Sequence, residues 1–135
     1  MKKEFMINGQ ITKVDLQTRW TGFEKGKKYN GDCVKSGEEL IGYFVFDGKI
    51  FVFINNNVFD VDDVKITNQL VGEYRTLTIT ADSKILFKTE YRALTIYEYD
   101  INEEDADDFL WISEVLNDAE RRKVVLKYCI DSKVA

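Results

Sequence analysis

Leu40-Ile-Gly-Tyr-Phe-Val-Phe-Asp-Gly-Lys-Ile-Phe-Val-Phe-Ile54 decides the fold. Two runs of β-favouring residues, Leu40–Phe46 and Lys49–Ile54, flank Asp47-Gly48, a dipeptide that accepts the positive φ angles of a tight two-residue turn. A hairpin follows. Both arms are nearly continuous apolar runs, so both of their faces should be covered, as happens in a closed or strongly rolled sheet, and the hairpin should form the centre of the core.

Working outward, Asn8-Gly9 supplies a second turn of the same kind between Glu4–Ile7 and Gln10–Leu16. Residues 19–39 carry four glycines among polar groups with no sustained apolar period, which reads as loop with room for a short strand. Beyond the central hairpin, short strands are expected at Val58–Val61 and Val64–Thr67. A longer one at Val71–Thr80 follows, with Val71, Leu77 and Ile79 on one face and Tyr74, Thr76, Thr78 and Thr80 on the other. Lys84–Thr89, where Ile85 and Phe87 alternate, and Tyr91–Tyr99 continue the meander.

One helix is expected to begin near Asn102 or Asp105, where Asp or Asn can cap the first turn, and to run to about Arg122. Phe109, Trp111, Ile112, Val115, Leu116 and Ala119 share a broad arc at 100° per residue and form its buried face. Residues 123–130 read two ways. Val124, Leu126, Tyr128 and Ile130 alternate as in a last strand, with an extension of the helix as the alternative. The fold class is therefore α+β: a mainly antiparallel sheet, rolled or barrel-like, with an amphipathic C-terminal helix packed on it, in a single domain over residues 1–135.

The chain is acidic, with a formal charge of −5 and a pI near 4.8, which argues against nucleic acid as a partner. The charge is unevenly distributed. Residues 1–35 hold eight basic against four acidic residues; residues 36–135 hold eleven against twenty. No apolar run approaches the roughly 20 residues of a bilayer span, and no secretory leader is legible, so a cytoplasmic location is expected. Cys33 and Cys129 stand far apart and read as free thiols.

The chain contains no histidine, which removes the commonest general base, the Ser-His and Cys-His pairs, and imidazole zinc sites. Neither a GxxxxGK[ST] loop nor a strand-to-helix GxGxxG occurs. Asp100–Glu104 starts like a calcium loop, but Asp105 stands where the turn glycine belongs and Trp111 where the closing glutamate belongs. No enzyme, catalytic residue, cofactor or metal site is expected.

What stands out is Glu98–Glu120, with ten acidic residues and no Lys or Arg. Such a stretch is either a solvated helix start, whose acids cap and solubilise, or a surface that attracts a basic protein partner. On the second reading the partner-binding residues are Glu103, Glu104, Asp107, Asp108, Glu114 and Asp118, joined by Asp60, Asp62 and Asp63 if that turn lies nearby. Tyr99 and Trp111 are candidate aromatic anchors, with core packing the favoured role for Trp111.

Asp105-Ala-Asp-Asp-Phe-Leu-Trp-Ile112 and Leu116-Asn-Asp-Ala-Glu-Arg-Arg-Lys123 resemble the acidic C-terminal helix of some bacterial immunity proteins, the partners of contact-dependent-inhibition and related polymorphic toxins. The resemblance implies a cytoplasmic protein that neutralises a cognate toxin domain, often a nuclease, by covering its active site or substrate-binding surface. It carries over no contact residue. Two alternatives of other classes fit a rolled sheet with one helix. One is a pleckstrin-homology-like module using Lys25, Lys27, Lys28 and Lys35 toward an anionic ligand, and the other is a lipocalin-like carrier of a small apolar ligand.

Overall fold

In the computed structural model, the described residues are 1–18, 28–92 and 112–134. Ten strands occur among them: β1 (Lys2–Ile7), β2 (Gln10–Gln17), β3 (Gly31–Ser36), β4 (Glu39–Phe46), β5 (Lys49–Ile54), β6 (Asn57–Asp60), β7 (Lys65–Val71), β8 (Tyr74–Ala81), β9 (Lys84–Arg92) and β10 (Lys133–Val134). A 3-10 turn, Val61–Asp63, separates β6 from β7. Helical residues 112–117 (α1) and a second helix, α2 (Ala119–Tyr128), precede β10.

Local chemistry explains the meander. Two-residue turns close six hairpins among the described residues, each with a positive φ at its first central position. Asn8-Gly9 and Asp47-Gly48 have both central angles positive, the type I′ pattern expected of them. At Gly72-Glu73 only the first is positive, the II′ pattern, and this turn cuts the expected Val71–Thr80 strand in two. A two-residue turn places the residues before and after it on the same face, so Val71 lies beside Tyr74 and not with Leu77 and Ile79. A register shift at Ile79/Thr80 has a similar effect on Ile85, which is exposed while Phe87 is buried.

Strands β1 to β6 hydrogen-bond in order, with β10 added beside β2, and β7–β8–β9 form a second, three-stranded sheet. Pairing is antiparallel except between β2 and β3, which meet in parallel only at Leu16/Gly31 and Gln17/Asp32. The larger sheet curls into a half-barrel. Its curl carries Phe5 of β1 onto Phe44 of β4, ring centroids 5.0 Å apart, and onto Phe53 of β5 at 4.8 Å. Across the mouth, Lys3 Nζ donates to Asn56 Oδ1 at 2.9 Å.

The central hairpin divides the core as its sequence suggests. Phe44 and Phe53 join Phe5, Ile7, Val14, Leu16 and Cys33 inside the curl. Ile41, Tyr43, Val45, Ile50, Val52 and Ile54 face the other way, against Ile66, Leu77, Ile79 and Phe87 of the smaller sheet and Ile112, Val115, Leu116 and Val125 of the helices. Fully burying side chains of this size stabilises by about 1.5–3 kcal/mol each. Gly42, opposite Phe53, makes room for this packing, since a Cβ there would meet the Asp32 carbonyl oxygen and the Phe53 ring. Cys33 and Cys129 are not joined in a disulfide and belong to opposite faces of the sheet.

The helical region departs from the single rod expected. Residues 119–128 form a second helix because Asp118 leaves helical geometry and its carboxylate accepts from the backbone N–H of Glu120 and Arg121, a side-chain N-cap. Ile112, Val115 and Leu116 are buried as expected, but Ala119, on the far side of the break, is exposed. Residues 123–128 are therefore helical, and the chain extends from Cys129 onward. The start of the expected helix, with Phe109 and Trp111, lies outside the described residues, as do Tyr99 and most of the Tyr91–Tyr99 strand. Within the stretch read as loop, Gly31–Ser36 is a full strand. No helix among the described residues is long and apolar enough to cross a membrane.

Candidate functional site

Two consecutive arginines organise the acids whose positions are described. Arg121 turns back along the helices, its Nη1 3.3 Å from Glu114 Oε2 and its Nε 3.8 Å from Asp118 Oδ2. Arg122 turns the other way. Its Nη1 lies 3.2 Å from Asp62 Oδ1, while Nε and Nη2 donate to the Leu116 carbonyl at the end of α1. The guanidinium thereby caps one helix and fastens it to the 3-10 turn. Asp60 caps that turn by accepting from Asp62 N–H at 3.0 Å, and Glu120 pairs with Lys123 at 3.1 Å.

The expected partner-binding residues thus separate into groups. Glu114 and Asp118 share one cleft; Asp60 and Asp62 line a second concavity with Arg122 and Leu126; Asp63 is exposed. Glu103, Glu104, Asp107 and Asp108 lie outside the described residues. Ion pairs as exposed as these contribute only about 0–1 kcal/mol, so the arginines compensate the local charge without locking it.

The first cleft is the more developed. It has a volume of about 370 Å³ and lies where α1 crosses the smaller sheet, lined by Asn68, Arg75, Ser113, Glu114, Asn117, Asp118 and Arg121. Asn68 Nδ2 donates to Tyr91 Oη at 2.8 Å and reaches Ser113 Oγ at 3.2 Å; Arg75 Nη1 donates to Asn68 Oδ1 at 3.4 Å. Asn117 Nδ2 donates to the Ile66 carbonyl at 3.0 Å, tying helix to strand. These contacts fix the floor and leave the charged groups at the rim.

Directly across the ladder from Arg75 stands Leu70, 54% exposed, and at the tip of the same hairpin Val71 and Tyr74 face each other, 73% and 48% exposed. Leu70 shares the face of Asn68 and Arg75 and so stands beside the charged cleft, an apolar side chain next to a polar rim as in protein interfaces, whereas Val71 and Tyr74 are exposed on the opposite face of the hairpin. A second apolar pair, Met6 and Ile11, is exposed at the β1–β2 tip, on the same face as Glu4 and Lys13, which line a concavity of about 600 Å³ with Lys2, Lys3, Val14, Asp15 and Asn30. Leu70, Tyr74, Asn68 and Arg75 were not among the residues expected from sequence. Gly72, read as a turn, is the signal that would have exposed the tip. Comparison with known proteins finds no matching family model, no matching curated protein and no matching solved structure.

Proposed function

We propose that the protein is a non-catalytic inhibitor that acts by binding a basic protein, as an immunity protein neutralising a cognate toxin domain in the bacterial cytoplasm. The observation that carries this reading is exposed Leu70 beside the cleft of Arg75, Glu114, Asp118 and Arg121, on a hairpin tip that also exposes Val71 and Tyr74 on its other face. Apolar anchors supply the binding energy. The acid-rich Glu98–Glu120 stretch supplies the long-range attraction that speeds encounter with a positively charged partner. The missing histidine leaves the chain without the usual machinery of hydrolysis. Phe5, Phe44 and Phe53 fill the concave face of the curled sheet, which favours a binding surface over a small-ligand carrier.

The test begins with tagged protein recovered from its native cells, identification of its partner, and reconstitution from purified components. Saturating protein should abolish the partner's activity, and association should slow as salt is raised. Tyr74→Ala should hasten dissociation at least tenfold, as hot-spot tyrosines do, with the circular dichroism spectrum unchanged. A partner that stays fully active when saturated defeats the inhibitor reading. Wild-type dissociation in both Tyr74→Ala and Leu70→Asp defeats the assignment of the tip. Retention on phosphoinositide vesicles through Lys28 and Lys35, both exposed, points instead to the pleckstrin-homology-like module.

A further inference from the structure

The segment after α2 is built into the larger sheet and does not merely lie on it. Ile130 N–H donates to the Tyr29 carbonyl at 2.9 Å, and Asn30 Nδ2 donates to the Ile130 carbonyl at 2.8 Å. Ser132 N–H donates to the Val45 carbonyl at 2.8 Å, and Gly48 N–H donates to Asp131 Oδ2 at 3.1 Å. Lys133 and Val134 then pair antiparallel with Lys13 and Thr12 of β2. The segment fills a wedge between β2 and β4, which exists because β3 meets β2 only at its far end.

This insertion has an energetic flaw. Val134 stands opposite Thr12 and Lys133 opposite Lys13, so alternation puts Ser132 on the same face of the ladder as Thr12, the face of Phe5 inside the curl. Ser132 is 4% exposed and Thr12 fully buried, and neither hydroxyl has a hydrogen-bond partner. A buried hydroxyl in that state carries its full desolvation penalty, which is relieved when water reaches it. Ser132 lies in the strap itself, and Thr12 lies on the β2 edge that the strap covers, so withdrawal of the strap acts on the surroundings of both hydroxyls.

We propose that residues 130–134 form a releasable strand, leaving the sheet in a local opening while both sheets and the helices stay folded, and uncovering a strand-wide slot between β2 and β4. This goes beyond the proposed function and is independent of it. Native-state hydrogen exchange on the full chain tests it, comparing the Ile130 and Ser132 amides with those of the β4–β5 ladder. The strap amides should exchange at least a hundredfold faster after correction for intrinsic rates, about the span between a locally opening segment and the global core. Ser132→Ala, and independently Thr12→Val, should slow strap exchange about tenfold by removing one buried hydroxyl, with β4–β5 unchanged. The proposal is overturned if the strap exchanges no faster than β4–β5, if neither variant changes strap protection more than twofold, or if a variant slows strap and ladder equally.

Discussion

Phe5 and Phe44 are brought together only by the curl of the larger sheet, and a double-mutant cycle between them measures that curl directly. Phe44 is fully buried and Phe5 nearly so, with their rings stacked at an interplanar angle of 16°. Truncation of either to alanine would cost about 3–5 kcal/mol, and the two together would consume most of the roughly 5–15 kcal/mol by which a domain is stable. Phe→Leu is the better perturbation, at about 1–2 kcal/mol for each single variant. A ring pair in this geometry adds about 0.5–1.5 kcal/mol beyond the area it buries, so the double variant should be less destabilised than the sum of the singles by about that amount. Urea unfolding followed by circular dichroism and by tryptophan fluorescence supplies the four free energies, with coincident transitions required of each variant. A coupling within the ~0.3–0.5 kcal/mol scatter of independent sites would refute the half-barrel packing and leave β1 flat against β2 alone.

Two further outcomes follow from named contacts. Asp118→Ala should cost about 1 kcal/mol and lower helicity by removing the cap of α2, whereas Asp118→Asn, which preserves a capping side chain, should stay within about 0.5 kcal/mol of wild type. Equal losses in the two variants would show that the Arg121 pair matters and the cap does not. Burial, and secondarily the charge of Asp32, push the Cys129 thiol from its ordinary 9.0 up to about 12. The folded chain therefore keeps a proton that the unfolded chain releases, so this contribution to stability is intact below pH 9 and is lost as pH rises from 9 toward 12. Thiolate absorbance in a Cys33→Ala variant tests this, and a midpoint near 9 would contradict the packing of half-buried Cys129 against the core.

The parts of the fold that were legible in sequence are those in which local chemistry and burial agree. Asp47-Gly48 between two unbroken apolar runs announced a hairpin covered on both faces, and Val52 and Phe53 do enter separate cores. Val71–Thr80 misled because Gly72-Glu73 breaks the strand without an Asn-Gly or Asp-Gly signature, and its effect on facing depends on register. Asp118 was equally ambiguous, since an aspartate inside an acidic helix and one that starts a new helix look alike until its carboxylate is seen to accept two backbone amides. Glu114 and Asp118 were foreseeable as surface acids. Their shared arginine, and exposed Leu70 beside them, depend on how α1 lies across the smaller sheet, which no local spacing encodes.

The pairing of β10 with β2 also bears on how the chain reaches its native state. Six hairpins with two-residue turns can each form on the microsecond scale, whereas joining Thr12 to Val134 must wait until nearly the whole sequence has been gathered in. Variants that weaken this last join should therefore hasten unfolding and leave the refolding rate almost untouched.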